Sequence, residues 1–200
     1  MRISPDGKTI NRSKKAIRKS IQEKRDGLAP ESRLNKSHII ARRFLGLKEY
    51  RKSGKILAYF PFRSEIDTRV IIKEALRQGK IVALPKVNKK RLDLYYINSL
   101  SRSLEPGKYD IMEPIPSECT RALPGEMDLV ITPGVGFDHE MNRLGYGGGF
   151  YDRLLREIPF HIPRVALAFD LQIVDRIPVS EHDLKVNILI TESVIRGTEK

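Results

Sequence analysis

The amino-acid sequence predicts an α/β fold built on a layered sheet. Three observations carry this. Apolar runs of strand length alternate along the chain with segments whose apolar residues recur at helical spacing. Proline and glycine punctuate the joins. A glycine cluster at 145–149 falls between a strand end and a helix start, where open α/β sheets bind ligands.

The elements follow in order. Ser13–Leu28 is predicted helical, with Ile17, Ile21 and Leu28 as its apolar stripe, Asn11 or Ser13 as cap and Gly27 as stop. Pro30 opens a second helix, expected to reach about Tyr50, with Glu31 in its first turn. Leu34, His38, Ala41 and Leu45 recur at helical spacing there, as do Ile40, Phe44 and Leu47. Lys55–Phe60, ending at Pro61, suits a buried parallel strand. Thr68–Gln78 is a helix capped by Asp67 or Thr68 and closed by Gly79. Strands are expected at Ile81–Leu84 (stopped by Pro85), Leu92–Ile97, Met127–Thr132, Val165–Phe169 and Val186–Thr191. Phe150–Glu157 is the helix after the glycines. Glu105–Gly125, with four prolines, reads as a long irregular connection. One domain over 1–200 is the simplest account, with the N-terminal helix pair packed on the sheet.

Composition narrows the function classes. Two hundred residues with 40% apolar content can bury a proper core. No apolar run is long enough to span a bilayer, and Met1–Ile10 has no leader-like apolar segment, so a cytoplasmic protein is expected. The single cysteine, Cys119, excludes an internal disulfide and a zinc–thiolate cluster. The net charge of +12 sits wholly in residues 1–55, which hold 17 Lys and Arg against 5 Asp and Glu. That excess either attracts a polyanion or coats the solvated faces of two helices.

Arg143-Leu144-Gly145-Tyr146-Gly147-Gly148-Gly149-Phe150-Tyr151-Asp152-Arg153 is the most informative stretch. Consecutive glycines can turn several backbone N–H groups toward one anion. The arginines add charge and bidentate donors, and a helix N-terminus near Phe150 adds partial positive charge. It is neither a Walker A loop, since no Lys-Ser or Lys-Thr follows, nor a dinucleotide fingerprint, since the third glycine position after Gly134 and Gly136 is His139. Asp152 is either a helix-dipole carboxylate or a hard oxygen ligand for Mg²⁺, with Asp183 the best-placed second carboxylate. Lys14 and Arg18, one helical turn apart, either bridge an anion or form a solvated basic face. Glu65 is either a turn residue or an acceptor for an amino-heterocycle. Phe60 either lines a slot for a flat ring or belongs to the core. Tyr146, Phe150 and Tyr151 either stack on a flat ligand or pack under the loop. No nucleophilic triad is present: His38 lies on an apolar stripe, His139 and His161 lack partners, and His182 is adjacent to Asp183 only in sequence.

Assembled, these residues resemble the 5-formyltetrahydrofolate cyclo-ligase family, also called methenyltetrahydrofolate synthetases. The resemblance runs nearly end to end: Lys14-Lys15-Ala16-Ile17-Arg18, Tyr59-Phe60-Pro61, Glu65-Ile66-Asp67-Thr68, Leu84-Pro85 and Glu113-Pro114. It continues through Pro133-Gly134-Val135-Gly136-Phe137-Asp138, Arg143 to Arg153, His182-Asp183 and Ile190-Thr191-Glu192. It implies a three-layer α/β/α sandwich with a mostly parallel sheet. It also implies a monomer that uses ATP and Mg²⁺ to close 5-formyltetrahydrofolate into 5,10-methenyltetrahydrofolate, with no nucleic-acid or membrane partner. By position it implies that Lys14, Arg18 and the run Arg143, Leu144, Gly145, Tyr146, Gly147, Gly148, Gly149, Phe150 and Tyr151 contact ATP. Arg143 and Tyr151 are then catalytic. Phe60, Glu65, Tyr146, Gly147, Gly148, Gly149 and Phe150 contact the folate, and Asp152 and Asp183 hold the metal. The basic N-terminus gains a second use, attraction of polyglutamate tails. Two competing readings are a diverged ATP-dependent enzyme on another formyl or acyl compound and a basic nucleic-acid-binding module.

Two positions depart from the family pattern. Met141 stands where the family usually has glycine, and would be strained if the turn needs φ > 0. Asn187 stands where aspartate is common, a position expected near the metal site.

Overall fold

The computed structural model describes residues 7–181 and 183–197, so His182 lies outside the described residues. The helices are α1 (Gly7–Asp26), α2 (Pro30–Leu45), α3 (Lys48–Lys52), α4 (Arg69–Arg77) and α5 (Phe150–Glu157). The strands are β1 (Lys55–Leu57), β2 (Ile81–Asn88), β3 (Arg91–Ile97), β4 (Leu104–Pro106), β5 (Met112–Pro114), β6 (Thr120–Ala122) and β7 (Leu129–Thr132). They continue with β8 (Gly136–Asp138), β9 (Arg143–Leu144), β10 (Arg164–Leu167), β11 (Ile173–Val174), β12 (Ile188–Ile190) and β13 (Ile195–Gly197).

Eight strands form one sheet in the order β13-β12-β10-β7-β1-β2-β3-β6. The middle five are parallel, and the outer strands β13, β3 and β6 pair antiparallel with their neighbours. Alternation along each strand sends side chains to two helical layers. Ile56, Leu129, Ile131, Val165 and Leu167 pack with Ile40, Phe44, Ile71 and Ile72 of α2 and α4. Leu57 and Val130 face Leu154 and Leu155 of α5 on the other side. Ala166, Ala168 and Leu189 face Phe137 and Met141 of the β8–β9 hairpin. Each fully buried aliphatic side chain here contributes about 1.5–3 kcal/mol. No described helix is long and apolar enough to cross a membrane.

Several boundaries differ from the sequence expectation. The second helix stops at Leu45, because Leu47 turns extended before α3 begins. That bend seats the buried Tyr50 ring 5.2 Å from Phe44. The buried face of α2 is Ser37, Ile40, Ala41 and Phe44, so His38 points outward. Strand β2 passes through Pro85 to Asn88. Its pairing with β1 ends at Ala83, and beyond that only β3 adjoins it in the sheet, where proline is tolerated. The proline-rich segment is not wholly irregular: β4 and β5 pair as a hairpin, and β6 joins the sheet edge. Of the N-terminal pair, α2 packs on the sheet, whereas α1 lies on β8 and the 3-10 turn Asp170–Gln172. The approach is close: a Cβ at Gly136 would lie 2.5 Å from Cδ1 of Ile21.

Candidate active site

The parallel strands deliver their C-terminal ends to one edge of the sheet. After β1 the chain turns at Phe62–Glu65, with Arg63 at φ +52°. Glu65 closes this turn: its N–H donates to the Phe62 carbonyl (3.1 Å), and its carboxylate Oε2 accepts from the Phe62 N–H (2.9 Å). The same carboxylate, 8% exposed, accepts at Oε1 from the Tyr146 hydroxyl (2.7 Å). Burial raises the Glu65 pKa, while the bonds from Tyr146 and Phe62 and the charge of Arg25 oppose the shift. Tyr146 in turn accepts from Nη2 of Arg25 (2.9 Å).

After β7 the chain makes the β8–β9 hairpin and re-emerges at the same edge. Asp138, fully buried, ties this hairpin by accepting from the N–H groups of Glu140, Asn142 and Ile177. Between β9 and α5 lies the glycine turn. Gly147 at φ +102° and Gly149 at φ +66° adopt backbone conformations that a side chain would strain. Among the described residues, the amides of Gly147, Gly148 and Gly149 donate to no other protein group. Arg18 fixes one end of the turn by donating from Nε to the Gly145 carbonyl (2.7 Å), and Arg153 fixes the other by donating to the Gly148 carbonyl (2.9 Å). These free amides at the start of an α-helix can bind an anion.

A cavity of about 440 Å³ joins these parts. Its lining includes Phe60, Glu65, Tyr109, Arg143, Tyr151 and Asp152. Arg143, 5% exposed, donates to the Pro133 carbonyl (3.1 Å) and to Oδ1 of Asp152, and its Nε has no partner among the described residues. The Tyr151 hydroxyl is likewise buried and unpartnered, and burial together with the Glu65 charge raises its pKa. Two orphaned donors beside a cavity mark groups that a polar ligand would satisfy.

The sequence candidates Lys14 and Arg18 both turn inward from α1. Lys14 is 7% exposed and pairs with Asp183. This sets aside the solvated-face reading for the pair, since Lys14 meets a carboxylate and Arg18 the Gly145 carbonyl of the glycine turn. Burial lowers the Arg18 pKa, while Asp183 and Asp152 both support its charge, so the two carboxylates lie within electrostatic reach of one guanidinium. Among the described residues no group of three or more His, Cys, Asp or Glu could form a protein-only metal cage. His38, exposed, and His161 stand apart from the site, and His139 contacts Arg196.

The two departures from the family pattern come out differently: the position expected for Asn187 is corrected, and the positive φ considered for Met141 is adopted. Asn187 is not at the candidate metal site: its Oδ1 accepts from the N–H of Arg164 (2.9 Å), at the start of β10 and so at the opposite end of the sheet. Met141 adopts φ +67°, and its buried side chain packs with Phe137 and Val186. The sequence reading missed Arg25 and Tyr109. Arg25 follows Ile21 by one helical turn, so spacing placed it on the apolar stripe of α1, although its charge argued for solvent. Tyr109 lies in the hairpin hidden by prolines.

A parallel-sheet edge with an apolar cavity, a buried carboxylate and a cation-flanked glycine turn is the build of a small-molecule enzyme. Residues 10–192 match the model of the 5-formyltetrahydrofolate cyclo-ligase family, and the chain belongs to that family. It is 32% identical to the 5-formyltetrahydrofolate cyclo-ligase of Mus musculus over 92% of this chain and 96% of that one. It is 31% identical to the cyclo-ligase of Escherichia coli K12 over 88% of this chain and 98% of that one. The solved structure of Aquifex aeolicus 5,10-methenyltetrahydrofolate synthetase superposes with a TM-score of 0.84 at 35% identity, covering 94% of this chain and 93% of that one.

Proposed function

We propose that this chain converts 5-formyltetrahydrofolate and ATP into 5,10-methenyltetrahydrofolate, ADP and phosphate. The observation that carries the reading is the shared cavity, whose lining includes both Glu65 and Phe60 and the Arg143–Asp152 pair. Glu65 accepts N–H groups from the reduced pterin ring, beside Phe60. The free amides of Gly147–Gly149 and the cations Lys14, Arg18 and Arg143 bind the triphosphate. The formyl oxygen attacks the γ-phosphorus as ADP leaves. Nitrogen 10 then attacks the phosphorylated formyl carbon, the C–O bond breaks, and the N10 proton leaves with the departing phosphate as hydrogen phosphate. No side chain acts as nucleophile, so positioning and charge neutralisation supply the rate. Arg143 stabilises charge on the transferring group, and the unpartnered Tyr151 hydroxyl donates to a reacting oxygen.

Asp152 and Asp183 fit a Mg²⁺ carried on the phosphates. Among the described residues, Oδ2 of Asp152 and Oδ1 of Asp183 accept no hydrogen bond. One or two carboxylates suffice for an ion that keeps waters and phosphate oxygens as its other ligands. When bound, Mg²⁺ would neutralise charge on the phosphates.

A neighbouring cavity of about 350 Å³ shares Phe60, Arg63 and Glu65 with the first and adds Arg33, together with Arg69 and the Asp67 that pairs with it. It suits the carboxylates of a glutamyl tail, and equal KM for mono- and polyglutamylated substrate at low salt would remove that assignment. The enzyme is proposed to act as a monomer in the cytoplasm. The central test mixes purified protein with ATP, Mg²⁺ and 5-formyltetrahydrofolate. The near-ultraviolet absorbance of the methenyl product should rise only with all three present. No rise would reject the reading and leave a diverged enzyme for another formyl or acyl compound.

A further inference from the structure

The glycine turn and the pterin-facing wall are separate in sequence, and one hydroxyl joins them. Tyr146 begins the turn, and its OH donates to Oε1 of Glu65 across 81 positions. The other oxygen of Glu65 is engaged by the Phe62 N–H. The Tyr146 hydroxyl also accepts from Arg25, which is 2% exposed and forms no hydrogen bond with any carboxylate among the described residues. The Tyr146 ring is held from the side as well, edge-on to Phe62 at 6.1 Å. The turn that follows contains two left-handed glycines, Gly147 and Gly149, and among the described residues its own amides bond to no protein group. Its position is therefore set at three points: Arg18 at Gly145, Arg153 at Gly148, and the hydroxyl of Tyr146.

A flat amino-heterocycle that bonds to Glu65 through adjacent N–H groups needs Oε1, the oxygen that Tyr146 holds. A carboxylate oxygen can accept two bonds, so the ring N–H joins the tyrosine hydroxyl on Oε1, and sharing that acceptor weakens the bond that Tyr146 makes to it alone. We propose that Tyr146 is a positioning residue that couples the two substrates. Entry of the pterin ring weakens the Tyr146–Glu65 bond, leaves the hydroxyl held by Arg25, and lets the glycine turn settle on the triphosphate. Binding of either ligand then favours the other by the same factor. This inference rests on the substrate assignment above and adds to it a residue that reads one ligand and reports to the other.

The test is calorimetric binding of a non-hydrolysable ATP analogue with Mg²⁺, measured with and without saturating 5-formyltetrahydrofolate. In the wild type the folate should tighten nucleotide binding by about fivefold or more, within the usual range of coupling between sites. Tyr146→Phe keeps the ring packing and removes only the hydroxyl. In that variant the nucleotide alone should bind as tightly as it does to folate-loaded wild type, and the folate effect should fall below about twofold. A merely structural tyrosine would weaken both ligands and leave their ratio unchanged. An unchanged ratio in Tyr146→Phe, or a ratio of one in the wild type, overturns the coupling. Failure of the wild type to bind 5-formyltetrahydrofolate at all would instead overturn the substrate assignment, and the coupling with it.

Discussion

Arg143 donates to Asp152 at the first turn of α5, so a cation and a carboxylate neutralise each other beside the glycine turn. Arg143 is the more deeply placed partner: its side chain is 3% exposed against 26% for Asp152. Removing the carboxylate leaves a buried guanidinium short of its counter-charge, which costs about 3–5 kcal/mol in a fully buried pair and less here, where water reaches Asp152.

Substitutions of Asp152 separate that structural part from the metal role. Asp152→Ala should lower turnover at least about 100-fold and also lower the melting temperature. Asp152→Asn keeps an oxygen acceptor for Arg143, so it should recover most of the stability and little of the turnover, and it should need more Mg²⁺ to reach its maximum rate. Wild-type kcat and Mg²⁺ dependence in Asp152→Asn would reduce Asp152 to the partner of Arg143.

The Lys14–Asp183 pair sets a pH dependence. Burial pushes the Asp183 pKa up, but the hydrogen bonds from Lys14 and Ser180 win and hold it below the ordinary 3.8. A depressed carboxyl pKa stabilises the fold fully above the unfolded value, and that stabilisation fades as pH falls through the folded value. Asp183→Asn should therefore cost about 1.5–3 kcal/mol at pH 7, as for hydrogen bonds to charged groups, and nearly nothing well below the depressed value. Urea melts across that range check it, and a pH-independent loss would contradict the linkage. Lys14→Ala and Arg18→Ala should each raise the KM for ATP, and an unchanged KM in both would remove them from nucleotide binding.

How much of this was legible depends on whether local chemistry or tertiary packing decided each feature. Helix α5 was readable at both ends, because a glycine-rich run must precede it and Gly149 does adopt φ +66°. The inner strands were readable because burial on both faces demands continuous apolar runs. The break after α2 was not: Gly46 keeps ordinary helical backbone angles, and the bend at Leu47 accompanies the packing of Tyr50 on Phe44. In the site, Glu65 and the glycine turn were readable as chemistry, but their bond through Tyr146 was not. Arg25 was not legible because an arginine on an apolar stripe is ordinarily solvated, and its burial goes with partners distant in sequence: the hydroxyls of Ser64 and Tyr146 and the charge of Glu65.

Glu65 should act on one substrate directly. Glu65→Gln removes the charge that burial disfavours while keeping one oxygen acceptor. The variant should be less stable than the wild type near neutral pH, because its NH₂ meets either the Phe62 N–H or the Tyr146 hydroxyl, donor against donor, and the buried Arg25 loses a nearby negative charge. Its KM for 5-formyltetrahydrofolate should rise at least about tenfold, because a charge-assisted acceptor becomes neutral and one acceptor oxygen is replaced by an NH₂ donor. An unchanged KM with lowered stability would make Glu65 a turn residue alone.

Met141 sets backbone strain against side-chain packing. Its φ of +67° is a conformation that costs a non-glycine residue about 1–2 kcal/mol. Its side chain, 5% exposed, fills the small core between the β8–β9 hairpin and the sheet, and truncating such a methionine to alanine costs about 2–5 kcal/mol. Packing outweighs strain, so Met141→Gly should destabilise the protein despite relieving the left-handed backbone. The strain is isolated by comparing two truncations. Ordinarily glycine is less stable than alanine, because it loses more backbone freedom on folding. At a left-handed position the order should reverse, with Met141→Gly more stable than Met141→Ala by about 1 kcal/mol. Urea unfolding of the three proteins measures both differences. Alanine equal to or better than glycine would show that the hairpin relaxes out of the left-handed conformation once the methionine is gone, and that its burial was what held it there.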